Sequence, residues 1–248
     1  MNKDKLLLTS MLAALLSGCG PSETTSESKN QDEVNMPTQL PNNSLSDKEK
    51  REGWKLLFDG NTAQGWHTYL TNNPPAWEIR EGELFTPGKR GDIVTDEEFE
   101  NFELLVDWKI EAQGNSGIFY HVVEHPDYPR MHETGPEFQI IDDENYPQQL
   151  TENQTTGSNS DVKGPSMAAS NPPGDWNQTR IRVDGGHVTF WLNGNMINEY
   201  DMESAEWKKL VSESKFAPLD YAKVSKGRIG LQDHGGPVWF KNIKIKVL

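Results

Sequence analysis

One alternation sets narrow limits on the fold of this chain. Phe102, Leu104, Val106, Trp108 and Ile110 are interleaved with Glu103, Leu105, Asp107 and Lys109. Large apolar residues at every second position share one face of an extended strand, so this stretch reads as a half-buried β-strand. The pattern recurs at Val188, Phe190 and Leu192 and at Ile243, Ile245 and Val247. Turn signals separate the runs: Glu81-Gly82, Asp184-Gly185-Gly186 and Asn193-Gly194. The last is a two-residue hairpin type whose backbone matches strand twist. Only Glu203 to Ser212 carries helical spacing, with Trp207, Leu210 and Val211 on one side. Many strands, short turns and one short helix predict an all-β sandwich or jelly roll.

The chain is long enough for one such domain. Of its 248 residues, 8 are Trp, 6 Tyr and 9 Phe, an aromatic content suited to a packed core. Lys and Arg total 24 against 38 Asp and Glu, a formal net charge of −14. That surface repels phosphate backbones, and no basic stripe offsets it, so nucleic acid is not an expected partner.

The single cysteine, Cys19, precludes an intrachain disulfide, and its position is informative. Lys3 and Lys5 precede a mostly apolar run from Leu6 to Leu16, and Leu16-Ser17-Gly18-Cys19 follows. The run is short for a membrane span but fits the core of an export signal. Small residues directly before a lone cysteine resemble the lipobox of bacterial lipoproteins. The resemblance implies a signal peptide over 1–18, lipidation of Cys19, and a protein anchored in the bacterial cell envelope, at the outer membrane or periplasmic face. Residues 19–50 are rich in Ser, Thr, Asn, Gln, Glu and Pro and nearly free of aromatics, which predicts a flexible tether. The folded domain is expected over 51–248, its first apolar cluster beginning at Trp54.

Common catalytic patterns are absent: no Gly-rich phosphate loop, no His-Glu-x-x-His, no paired cysteine ligands, no Gly-x-Ser-x-Gly. The chemistry must lie in polar residues set within strands and turns. Asn115-Ser116-Gly117 heads an apolar strand. In Glu137-Phe138-Gln139-Ile140-Ile141-Asp142, Glu137 and Gln139 share one sheet face and Phe138 and Ile140 the other. A carboxylate beside an amide suits sugar hydroxyls or a metal, and equally a solvated sheet face. Asn177 precedes a strand on which Arg180 and Arg182 share a face, with Trp191 able to join it after the Asp184 turn. An aromatic beside donors suits sugar binding. His234 ends a strand at a Gly-rich turn, where an imidazole is reachable and can move a proton near neutral pH. His121, His125 and His132 cluster with Glu124, but in strand and loop text rather than on one helix face, which disfavours a His-only metal site.

Together the motifs resemble a known family. Trp54-Lys55-Leu56-Leu57-Phe58-Asp59-Gly60 with Gly65-Trp66, then Trp77-Glu78-Ile79, Gly82-Glu83-Leu84, Asn115-Ser116-Gly117, Glu137-x-Gln139-x-x-Asp142, Trp176-Asn177, Leu192-Asn193-Gly194, Leu231-Gln232-Asp233-His234-Gly235 and Phe240-Lys241-Asn242-Ile243 follow in order. This run resembles the 3-keto-disaccharide hydrolase family, also called domain of unknown function 1080, over essentially all of residues 53–248. The resemblance implies a concanavalin-like jelly roll of two antiparallel sheets and cleavage of glycosides whose sugar carries a ketone at carbon three. By position it implies Glu137, His234 and Asp142 as catalytic candidates and Asn115, Gln139 and Asn177 as substrate-binding ones, to which the sheet-face argument adds Arg180 and Trp191. One segment departs from the pattern: Gly157-Ser158-Asn159-Ser160 lacks a tyrosine that relatives often carry there.

The implied chemistry is β-elimination. A ketone acidifies the neighbouring C–H, a base removes that proton, the glycosidic oxygen leaves, and water adds to the unsaturated sugar. The site needs a base, a group to hold enolate charge and an acid. Glu137 or His234 is the candidate base; Asp142, Gln139 or a bound divalent metal ion is the candidate for holding charge. A carbohydrate substrate, a membrane anchor and a sugar 3-oxidase acting upstream are the expected partners. A non-catalytic carbohydrate-binding module and an ordinary jelly-roll glycosidase with two carboxylates remain open.

Overall fold

The computed structural model describes residues 40–248. The expected signal segment, Cys19 and most of the expected tether lie outside the described residues. In chain order the elements are α1 (Asp47–Arg51), β1 (Trp54–Leu56), β2 (Trp66–Thr68), β3 (Glu78–Arg80), β4 (Glu83–Thr86), β5 (Ile93–Phe99), β6 (Phe102–Ile110), β7 (Asn115–Val122) and β8 (Glu137–Ile141). After a long connection come β9 (Asn177–Asp184), β10 (His187–Leu192), β11 (Asn195–Asp201), α2 (Ala205–Glu213), β12 (Gly227–Leu231) and β13 (Val238–Val247).

The strands form two antiparallel sheets, the expected jelly-roll sandwich. An eight-stranded sheet runs β11-β10-β9-β6-β13-β4-β3, with β1 also paired to β13; a five-stranded sheet runs β2-β5-β12-β7-β8. The alternation of β6 turns all five predicted residues inward: Phe102, Leu104 and Val106 are fully buried, Trp108 is 1% exposed and Ile110 3%. Val188, Phe190, Leu192, Ile243 and Ile245 join them, whereas Val247 is exposed where β13 runs out at the sheet end. The predicted helix is α2, capped by the Ser204 side chain accepting from the Trp207 N–H and buried through Trp207. Both central residues of Glu81-Gly82, Gly185-Gly186 and Asn193-Gly194 have positive φ, as tight hairpins between right-twisted strands require.

The ordered domain starts earlier than expected. Residues 40–50, read as part of a flexible tether, dock onto the sandwich. Asn43 and Asn242 exchange reciprocal backbone-to-side-chain hydrogen bonds at 2.6 and 2.8 Å, and Asn43 Nδ2 donates to the Gly82 carbonyl at 2.7 Å. Ser46 and Glu49 form a capping box that starts α1, and Glu49 pairs with Lys244 of β13. Composition could not show this, because these bonds join polar residues to the far end of the chain.

The outer face of the five-stranded sheet positions the site. Phe138 and Ile140 of β8 enter the inter-sheet core, so Glu137, Gln139 and Ile141 face away from it. A second apolar cluster of Tyr69, Val94, Phe119, Val122 and Met131 packs on that outer side. The α2–β12 connection brings Lys215 to the same side.

Candidate functional site

A groove of about 620 Å³ opens over this face, a volume suited to a small saccharide. Glu137, Gln139, Asn115 and His234, four residues singled out from the sequence, line it. They are joined there by Asp92, Arg130, His132, Tyr146, Ser160, Asp161, Lys215 and Gln232.

Glu137 is the most perturbed carboxyl of the groove. The residue is 7% exposed, and burial pushes its carboxyl up to about 8; the neighbouring Ser160 hydroxyl and Lys215 ammonium oppose the rise, and Asp161 and Asp92 add to it. The carboxyl fits because β7 carries glycine at 117. A Cβ there would lie 2.8 Å from Glu137 Cδ and 2.9 Å from Cγ, so a larger residue would force the carboxyl to move.

Beside it runs a chain of amides and hydroxyls. Ser160 Oγ donates to Gln139 Oε1 at 2.8 Å, Gln139 Nε2 donates to Asn115 Oδ1 at 3.0 Å, and Asn115 Nδ2 donates to Tyr146 OH at 3.1 Å. The orientation of each group is thereby set before a substrate arrives. The segment that departs from the family pattern supports this chain from behind. Asn159, fully buried, donates to Tyr200 OH at 2.7 Å and accepts from Tyr221 OH at 2.5 Å.

Asp92, just before β5, has its carboxyl raised to about 6 by burial first and by the nearby Asp233 charge, against the hydrogen bond it accepts from the Asp233 N–H at 2.8 Å. Lys215 pairs with Asp161, placing a cation on the groove wall. His132 is held below the usual imidazole range by burial and by Lys215 and Arg130. His234 is exposed at the rim. Its turn is fixed by Asp233, whose carboxylate accepts from Thr86 Oγ1 and from the Lys89, Arg90 and Gly235 N–H groups at 2.5–3.0 Å.

Four candidates are placed elsewhere. Asp142 is buried at the end of β8, where its carboxylate accepts from the Gln113, Glu144 and Asn145 N–H groups at 2.8–3.2 Å. These bonds hold it below the ordinary aspartate range despite burial, and it clamps the loop rather than facing the groove. Asn177 is a hairpin clamp: its Oδ1 accepts from the Asn171 N–H at 2.7 Å and from Asn193 Nδ2 at 2.8 Å. Arg180 and Trp191 lie on the outer face of the other sheet, opposite core residues Ile181 and Phe190. There the Arg180 guanidinium covers the Trp191 ring at 4.4 Å and pairs with Glu103 at 2.7 Å.

Sequence reading missed Asp92, Tyr146 and Lys215, which stand in segments without a motif, and met Ser160 only as part of the segment that lacks a tyrosine. The three clustered histidines separate: His121 is buried and bonded to the Glu100 carbonyl at 2.9 Å, and His132 alone lines the groove. Among the described residues, no group of three or more His, Cys, Asp or Glu side chains is placed to hold a metal ion.

Residues 53–246 match the family model described as the 3-keto-alpha-glucoside-1,2-lyase-like domain. A 3-keto-disaccharide hydrolase of Bacteroides thetaiotaomicron is 31% identical, with 79% of each chain covered. Among solved structures, a protein of Parabacteroides distasonis provisionally named a glycosyl hydrolase superposes with a TM-score of 0.81 at 40% identity, covering 84% of this chain and all of that one. A second protein of the same organism and provisional name gives 0.62 at 30% identity, covering 79% and 99%. With the sandwich and nearly the whole domain matched, this chain belongs to the 3-keto-disaccharide hydrolase family.

Proposed function

We propose that this protein is an enzyme that cleaves 3-keto-glycosides by elimination and rehydration, with Glu137 moving a proton at the reacting sugar. The observation that carries this is the buried Glu137 carboxyl, raised to about 8 in a groove whose remaining wall is rich in amides and hydroxyls. A carboxyl that titrates near working pH can give and take a proton, which elimination followed by hydration demands of its groups. A non-catalytic binding module has no use for so costly a carboxyl. The amide chain from Gln139 to Tyr146 serves sugar hydroxyls.

The substrate must arrive oxidised, so an oxidase that makes the ketone at carbon three acts before this enzyme. Anchoring through a lipidated Cys19 would hold the domain in the bacterial envelope.

One assay tests the reading: matched glucosides with and without a ketone at carbon three. Cleavage of the keto form alone is expected. A second reading, an ordinary two-carboxylate glycosidase, is favoured by the presence of both Glu137 and Asp92 in the groove. Cleavage of the unoxidised glucoside at a comparable rate would establish that reading instead.

A further inference from the structure

Nothing in the local sequence marks Asp92 as a site residue, yet its setting is built. Ile93 pairs with Leu231, and Leu231 with Ile118, all three entering the core. Asp92 and Gln232, one position along their chains, therefore turn to the groove face, where Gly117 also lies, paired with Gln139. Asp92 Oδ1 is held by the Asp233 N–H, and Asp233 is itself fixed by four donors. Asp92 Oδ2 accepts no hydrogen bond from the described residues. The result is a carboxylate locked through one oxygen with the other open to the groove that Glu137 lines.

Resting on the function proposed above, we infer that Asp92 is the base that takes the proton from carbon two of a 3-keto-glycoside, and Glu137 the acid that protonates the departing glycosidic oxygen. Burial sets the Glu137 carboxyl high, and the Asp92 charge adds a smaller push in the same direction. The less buried Asp92 loses its proton first, and Glu137 keeps its own, the division that separates a base from an acid.

The steps balance. Asp92 Oδ2 takes the carbon-two proton. The C–H electron pair becomes the carbon-one–carbon-two double bond as the carbon-one–oxygen pair leaves with the oxygen. Glu137 donates its proton to that oxygen. In the hydration step water adds to carbon one, Glu137 recovers a proton from it, and Asp92 returns its proton to carbon two. One water is consumed, and both carboxyls are restored.

The test uses the purified enzyme, methyl and 4-nitrophenyl 3-keto-glucosides, and deuterium exchange at carbon two followed by NMR. D92N is isosteric and keeps an oxygen for the Asp233 N–H. It is expected to lose ~100-fold or more on both substrates and to lose carbon-two exchange. E137Q is expected to lose ~100-fold in methanol release from the methyl glycoside but to stay within ~10-fold in the first-turnover release of 4-nitrophenol, whose departure needs no proton and precedes the hydration step. Added formate should restore part of the activity of D92A, which a merely structural role would not allow. Wild-type rates and exchange in D92N, or equal losses on both substrates in E137Q, would overturn the assignment. If the wild type cleaves neither keto-glucoside, the proposed function itself falls.

Discussion

Gly117 and Glu137 occupy one space: the carboxyl of Glu137 lies against the position where a side chain on residue 117 would begin. The Asn115-Ser116-Gly117 motif is thus the seat of the Glu137 carboxyl. Gly117→Ala should displace that carboxyl and lower turnover of a 3-keto-glycoside by ~10-fold or more, while overpacking costs about 1–3 kcal/mol of stability. Kinetics and a denaturant melt on the same preparation check both numbers. A variant with wild-type turnover would separate Glu137 placement from activity.

The raised Glu137 carboxyl also has a signature in stability. Its folded value of about 8 lies above the ordinary value of 4.5, so the folded state holds the proton more tightly than the unfolded one. Its contribution is fully present below about pH 4.5 and is lost as pH rises toward 8. Glu137→Gln removes this dependence. The stability of E137Q relative to wild type should therefore rise across that window, by up to about 1.4 kcal/mol for each pH unit crossed. Asp92 and Asp161, which add to the rise, and Lys215 and Ser160, which oppose it, are unchanged in that comparison. Parallel stability–pH curves for the two proteins would refute the perturbed carboxyl.

In the core, Trp108 is 1% exposed and its Nε1 donates to Thr179 Oγ1 at 2.9 Å. Trp108→Ala leaves both a cavity and an unpartnered buried hydroxyl, and should cost about 3–5 kcal/mol, read from urea unfolding. A loss under about 1 kcal/mol would mean that the site collapses around the deletion.

If Cys19 carries the lipid, Cys19→Ala should move the protein from the membrane fraction to the soluble fraction of fractionated cells. Unchanged membrane association would remove the anchor.

The sandwich is legible in the chain alone, because strand periodicity is local. Phe102, Leu104, Val106, Trp108 and Ile110 must share a face whatever they meet across the sheet. The same local rule puts Glu137 and Gln139 together and turns Phe138 and Ile140 away from them. It also specifies the hairpin at Asn193-Gly194, whose positive φ angles are a property of two residues.

Which polar residues are chemical and which are clamps depends instead on the assembled fold. Asp142, Asn177, Asp233 and Asn242 occur in motifs much like those of Glu137 and Gln139, but groups from neighbouring segments take up their hydrogen-bonding capacity, and that competition depends on loops meeting in space. Arg180 and Trp191 share a face as their spacing suggests, yet which sheet that face belongs to is set by strand order. Asp92 and Lys215 reach the groove of Glu137 through strand pairing and the α2–β12 connection, from positions whose local sequence gives no sign of it. Burial at the meeting point, a property of the packed sandwich rather than of any one segment, is what lifts the Glu137 carboxyl toward neutral pH.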